Sequence, residues 1–189
     1  ALAALLEDED EYVRSSAAIA VGGIGAAAAG HEGFMKTLAA LMQDEGRNPR
    51  QCAVDMVRKI GAAAAGHDGI MAALAALLED KDRFVRSSAA RAVGGIGAAA
   101  AGHDGIMAAL AALLEDEDED VRFAAADAVG GIGAAAAGHD GIMVALVGVH
   151  ARESQRIKFD VFAGWRDVRI FEHQGKGAFI VLPVSELSR

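Results

Sequence analysis

The sequence repeats itself with a period of 36 residues. The string GHDGIM begins at Gly66, Gly102 and Gly138, and a looser copy, GHEGFM, begins at Gly30. Residues 67–102 and 103–138 are nearly identical in sequence. Self-similarity at a period of 20–50 residues is typical of solenoids, in which each unit buries its apolar face against its neighbours. This period constrains the architecture more than any single residue does.

Each unit is predicted to contain two helices, and residues 67–102 show the pattern well. Ile70, Leu74, Leu77 and Leu78 fall at positions i, i+4, i+7 and i+8, which form one apolar stripe of a helix. Asp68 is the predicted N-cap of this first helix. The string EDKD, ending at residue 82, then predicts a break.

The second helix of the unit is expected to start after Asp82, which can serve as its N-cap. Its apolar stripe consists of Val85, Ala89, Ala92, Val93 and Ile96. The glycines of residues 94–97 predict the end of this helix. The following AAAAG is interpreted as a short extra helical turn.

The pattern LAALLEDxDxxVRxxAAxAVGxIG resembles the HEAT-like repeats of the phycobilisome-lyase type and, more loosely, the armadillo repeat. The resemblance covers about 1–138 and implies an all-α fold, a right-handed α-solenoid of helical hairpins. For function it implies only a broad range, because the superfamily includes scaffolds, transport receptors, regulatory subunits and a few chromophore lyases.

The repeats divide the chain into 1–30, a partial unit, then 31–66, 67–102 and 103–138. Residues 139–189 are predicted to be a degenerate last repeat and a C-terminal cap, in which the single Trp165 replaces a repeat valine and is buried. Around Gly175-Lys176-Gly177 the pattern is typical of a short β-hairpin. A reading-frame error would produce the same loss of repeat. The chain opens without Met and partway through a unit, which suggests a fragment.

Charge and composition narrow the classes of partner. Residues 1–149 contain 11 Lys and Arg against 22 Asp and Glu, a balance of −11. An acidic body argues against nucleic acid and anionic membranes and is compatible with a basic protein partner. Cys52 is the single cysteine, so a disulfide within the chain and a cysteine-based metal site are excluded, and a cytoplasmic location is favoured. No membrane span is expected.

Three repeated features are interpreted as structural. The histidines of the GH(D/E)G strings cannot converge on one metal ion, since successive units are about 10 Å apart. The GIGAAAAG strings resemble a dinucleotide fingerprint but lack its preceding strand. A repeated arginine and a repeated aspartate predict an ion-pair ladder between units; the arginines are Arg14, Arg50, Arg86 and Arg122, and the aspartates are Asp8, Asp44, Asp80 and Asp116.

The candidate binding residues are those that differ between otherwise similar units. They occupy three positions of the second helix, at offsets of 0, +3 and +7, which lie on one helix face outside the core stripe. The set, called the second-helix face below, consists of Tyr12, Ser15, Ile19, Asn48, Gln51, Asp55, Phe84, Ser87, Arg91, Asp120, Phe123 and Asp127. These residues are expected to be exposed, and relaxed surface drift remains the alternative explanation.

The resulting hypothesis is a protein-binding scaffold that is not an enzyme and needs no cofactor, because the sequence offers no nucleophile–base pair, metal cluster or phosphate loop. Two alternatives stay open. One is a chromophore-lyase-like or enzyme-regulatory module, and the other is a structural spacer in a longer array. The acidic turns at residues 7–11 and 115–120 are a second candidate surface for a basic partner.

Overall fold

The computed structural model describes residues 2–153, 168–173 and 178–183. Its α-helices and strands, in chain order, are α1 Leu2–Leu5, α2 Glu11–Gly22, α3 Glu32–Leu41, α4 Arg47–Ile60, α5 Asp68–Leu78, α6 Arg83–Ile96, α7 Asp104–Leu113, α8 Glu119–Ile132, α9 Asp140–Glu153, β1 Val168–His173 and β2 Ala178–Pro183. Four 3₁₀ connectors follow the second helices, at Gly25–Gly30, Gly61–Gly66, Gly97–Gly102 and Gly133–Gly138.

The helices form two layers. The second helices α2, α4, α6 and α8 pack on one another in series, and so do the first helices α3, α5, α7 and α9. The 3₁₀ connectors also stack on one another in the same order. The predicted all-α solenoid with one helical hairpin per unit is confirmed, and the AAAAG turn predicted from the sequence is the 3₁₀ connector.

The second helices begin and end where the sequence predicted. In the third unit the Asp82 carboxylate accepts a hydrogen bond from the backbone N–H of Phe84 at 2.8 Å, which makes it the N-cap of α6. The helix continues through Gly94 and Gly95 and ends at Ile96. Gly97 then adopts φ of +69°, a left-handed conformation that a residue without Cβ adopts at little cost.

The predicted cap of the first helix was wrong by one residue. Asp68 is the first residue of α5, and His67, in extended conformation, is the N-cap. No side chain caps this helix end by a hydrogen bond, and the backbone carbonyl of His67 accepts from Met71 at 3.1 Å instead. An acidic residue in the first turn still interacts favourably with the helix dipole.

The core consists of the two predicted stripes. Leu74 and Leu78 of α5 are fully buried, and so are Val85, Ala89 and Val93 of α6. The equivalent positions of the neighbouring units are buried in the same way, so one continuous apolar layer runs through the stack. Small residues in the second helices allow their backbones to approach closely.

Glycine marks the closest contact between neighbouring second helices. A Cβ atom at Gly131 of α8 would lie 2.6 Å from the carbonyl oxygen of Gly94 in α6. Nothing lies within 4 Å of a Cβ placed at the adjacent Gly130. One of two neighbouring glycines is therefore required by the packing of units, and the other is not.

The region after the fourth unit contains α9 and a hairpin. α9 extends the layer of first helices by packing on α7. Strands β1 and β2 pair antiparallel, with Val168 opposite Pro183 and His173 opposite Ala178. A short β-hairpin was predicted here, and the strands lie on both sides of the predicted turn. Trp165 lies outside the described residues, so its predicted burial stays a prediction, as does the hand of the solenoid.

Candidate protein-binding surface

The Arg–Asp ladder joins each unit to the next. The Arg86 guanidinium binds Asp116 of the following unit in a bidentate manner, with Nε to Oδ2 at 2.8 Å and Nη2 to Oδ1 at 2.9 Å. Arg14 lies against Asp44 with Nε 2.8 Å from Oδ2, and Arg50 Nε is 3.2 Å from Asp80 Oδ2. The hydrogen bond to Asp116 raises the pKa of Arg86, which therefore remains charged.

Each ladder arginine also fastens the turn of its own unit. Nη1 of Arg86 donates to the carbonyl oxygens of Asp80 at 3.0 Å and Lys81 at 3.2 Å. The ladder aspartates in turn accept from a backbone N–H two residues on, as Asp116 does from Asp118 at 2.9 Å. The same residues thus shape the acidic turns and set the register between units. This second role was not predicted.

A second, more exposed set of contacts borders the second-helix face. Arg83 Nη1 donates to Asp118 Oδ2 at 2.6 Å, and Arg47 Nε lies 3.6 Å from Asp82 Oδ2. Both guanidinium groups also cover the ring of Phe84, at 4.4 Å for Arg47 and 4.6 Å for Arg83 from Cζ to the ring centroid. These two contacts restrain the Phe84 side chain, although it is exposed. The sequence signal was present, since Arg47 and Arg83 are 36 residues apart.

The repeated histidines hold the connectors together. Nε2 of His67 lies 3.0 Å from the carbonyl oxygen of Ala29, and Nε2 of His139 lies 2.9 Å from that of Ala101. Because a carbonyl only accepts, the ring N–H is the donor in both cases. Each bond links the first residue of a unit to a connector residue that lies 38 positions earlier in the sequence, across one complete unit. This agrees with the structural role predicted for these histidines.

The second-helix face is largely exposed, as expected. Its exposed members are Tyr12, Ile19, Asn48, Asp55, Phe84, Arg91, Asp120, Phe123 and Asp127. Tyr12, with 71% of its surface exposed, and Phe123, with 68%, are among the most exposed large apolar side chains. Such side chains are frequent anchors in protein interfaces.

The middle position of this face, at offset +3, departs from the expectation. Ser87 is buried, and its hydroxyl donates to the carbonyl oxygen of Phe84 at 3.2 Å. Ser15 and Gln51 are half-buried, and only Phe123 of this position is exposed. Burial at this position therefore differs between units and is nearly complete only for Ser87. Ser87 is therefore not available for contact with a partner.

The single thiol and the possible metal ligands of the described residues can be assessed from their surroundings. Burial raises the pKa of the Cys52 thiol, which disfavours the reactive thiolate at neutral pH. Within residues 2–153 and the two strands, no three His, Cys, Asp or Glu side chains are grouped so that they could hold a metal ion. None of the helices described is long and apolar enough to cross a membrane.

Fold and ladder together define an α-solenoid of helical-hairpin repeats. Residues 70–139 match the family model of HEAT repeats. For these residues the match agrees with the HEAT-like repeats that the resemblance implied. A comparison with curated protein sequences finds no significant match.

Solved structures of similar fold include an engineered protein and designed armadillo repeat proteins. The crystal structure of an engineered protein is 23% identical with a TM-score of 0.68, over 86% of this chain and 74% of that one. A designed armadillo repeat protein in complex with the peptide (KR)4 is 20% identical with the same TM-score, over 87% and 77% of the two chains. A further designed armadillo repeat protein is 19% identical. At these identities the likeness concerns the fold alone.

Proposed function

We propose that the chain is a non-enzymatic scaffold that binds a segment of a partner protein on its second-helix face. The observation that carries the proposal is the contrast within each unit. The core stripes and the ladder are almost unchanged from unit to unit, whereas the exposed residues of this face differ at nearly every position. When the exposed residues vary between units and the supporting structure does not, the surface can recognise a partner whose own sequence does not repeat.

The charge of the surroundings indicates the kind of partner. Exposed carboxylates of Glu7, Glu9, Glu117 and Glu119 line the turns at the start of the second helices. They would attract a basic segment and speed its association. The designed armadillo neighbour is described in complex with (KR)4, a basic peptide, which supports the same direction for this chain.

The test is an unbiased selection. Random peptides displayed on phage would be selected against the full chain, and the affinities of the binders would be measured for Phe123→Ala and Arg91→Ala. Each change is expected to weaken binding by about 2 kcal/mol, roughly thirtyfold, because truncating a central aromatic or arginine anchor has that effect. Both side chains are exposed, so the melting temperature should hardly change.

Lys36→Ala is the matched control, because Lys36 is exposed on the first helix α3. Binders that lose affinity with this control as much as with the two face variants would show no preference for the face. Binders that are insensitive to Phe123→Ala and Arg91→Ala, but lost after Glu117→Gln and Glu119→Gln, would instead place the site on the acidic turns.

A further inference from the structure

One row of the second-helix face carries charges of alternating sign. At the +7 position, α4 presents Asp55, α6 presents Arg91 and α8 presents Asp127. All three are exposed, and because the units have the same length they lie at the same height on three neighbouring helices. The row therefore reads negative, positive, negative across the stack.

The middle and last charges of this row have no ion-pair partner among the described residues. Asp55 forms an exposed ion pair with its own helix neighbour Arg58, with Arg58 Nε 3.4 Å from Asp55 Oδ1. The ladder arginines on the same helices, Arg50 and Arg86, instead form ion pairs with aspartates of the next unit. Arg91 and Asp127 thus remain available to charges of a partner.

The spacing of the row indicates the conformation of the partner. Packed helices lie about 8–10 Å apart, and the close contact between Gly94 and Gly131 agrees with tightly packed second helices. A polyproline II segment has three residues per turn and rises about 3.1 Å per residue, so its residues i, i+3 and i+6 lie on one side at steps of about 9 Å. In a β-strand, residues i and i+3 point to opposite sides.

We propose that the +7 row binds an extended segment in the polyproline II conformation with a cation, an anion and a cation at i, i+3 and i+6. The two cations pair with Asp55 and Asp127, and the central carboxylate pairs with Arg91. An α-helical segment with charges seven residues apart has a similar step of about 10.5 Å. The polyproline II form is favoured because unfolded chains already populate it, so less conformational entropy is lost on binding. This inference rests on the proposed function and names its partner.

The experiment uses three capped, fluorescently labelled peptides and the full chain. The matched peptide is Lys-Pro-Pro-Glu-Pro-Pro-Lys, and its isomer Lys-Pro-Pro-Lys-Pro-Pro-Glu has the same composition and net charge. Fluorescence anisotropy at an ionic strength of about 0.02 M keeps exposed charge pairs unscreened. The matched peptide is expected to bind about fivefold more tightly than the isomer, since exposed pairs contribute modestly. The third peptide, Lys-Pro-Pro-Lys-Pro-Pro-Lys, reports the general attraction to an acidic chain.

Charge reversal at the centre of the row distinguishes the order of charges from net charge. Arg91→Glu should weaken the matched peptide about tenfold and strengthen the all-lysine peptide. Lys81→Glu changes the net charge by the same amount at an exposed turn position away from the row. It should leave the matched peptide as tight as before or slightly tighter, because that peptide is cationic.

Three results would overturn the inference. Equal binding of the matched peptide and its isomer would show that charge order is not read. A loss of matched-peptide binding in Lys81→Glu equal to that in Arg91→Glu would show that the loss is not specific to the +7 row. A fourth, helical peptide carries the same charges at seven-residue spacing, and tighter binding of this peptide would exclude the polyproline II form. If library-selected binders still depend on Phe123, the proposed function stands while this inference falls.

Discussion

Two adjacent glycines in α8 allow the packing between units to be tested with one methyl group. Gly130 and Gly131 both lie in the last turn of the helix, and each is replaced by alanine in a separate variant. Alanine has the higher helix propensity, by up to about 1 kcal/mol. The two variants share this gain, and they differ in what the new Cβ meets.

The magnitude follows from the distances. At Gly130 nothing lies within 4 Å of the new atom, whereas at Gly131 it would lie 2.6 Å from the Gly94 carbonyl oxygen and 3.0 Å from the Gly94 Cα. These are backbone atoms, so relief requires moving α8 away from α6. Overpacking of this kind costs about 1–3 kcal/mol. Gly131→Ala is therefore expected to lower the free energy of unfolding by about 1–2 kcal/mol in net. Gly130→Ala is expected to be at least as stable as the parent chain.

Thermal unfolding followed by circular dichroism at 222 nm measures the difference. For a chain of this size, 1 kcal/mol corresponds to about 2–4 °C in Tm. Gly131→Ala should melt at least about 3 °C below Gly130→Ala. If the two variants melt at the same temperature, or Gly131→Ala is the more stable, the second helices are not in the close contact described.

Three further predictions concern the core, the ladder and pH. Leu74→Ala should lower the free energy of unfolding by about 2–5 kcal/mol in a urea titration, because Leu74 is fully buried; a loss below 1 kcal/mol would contradict its place in the core. Arg86→Met should cost about 2 kcal/mol or more, since Asp116 and two carbonyls lose a charged donor, and an effect no larger than that of Lys36→Met would argue against the ladder. The hydrogen bond from Arg83 lowers the pKa of Asp118, so its contribution is present above the ordinary carboxyl pKa and is lost as pH falls through the lowered one. Asp118→Asn should accordingly unfold with a weaker dependence on acid than the parent, and an unchanged acid profile would contradict this.

The repeat made the architecture predictable because it presents the same pattern several times. A single stripe such as that of α5 is ambiguous, but its recurrence every 36 residues identifies positions that must be equivalent in space. The ladder followed from the same logic, since Arg86 and Asp116 recur with their units and carry opposite charges. The direction of the ladder, from each arginine to the next unit, required the structure.

What could not be predicted depends on local packing between units. The sequence does not distinguish Ser87, which is buried, from Phe123, which occupies the equivalent position and is exposed. Burial at this position depends on how the neighbouring helices pack, which a repeat pattern alone does not give. The N-cap at His67 instead of Asp68 is a similar case, because the connector must leave the 3₁₀ turn in extended conformation before the helix can begin.

The places where the units differ can be understood from what the frame requires. The side chains at the 0 and +7 positions take no part in the stripes, the ladder or the histidine contacts, so the fold tolerates most substitutions there. Tolerance alone explains variation, but it does not explain why Tyr12 and Phe123 remain exposed at an unfavourable contact with water. Nor does it explain why Arg91, between two exposed aspartates of the neighbouring units, has no described ion-pair partner. The ladder charges are neutralised in pairs, whereas Arg91 and Asp127 of this row are not paired within the described residues, and this contrast is what supports the proposal that the row faces a partner.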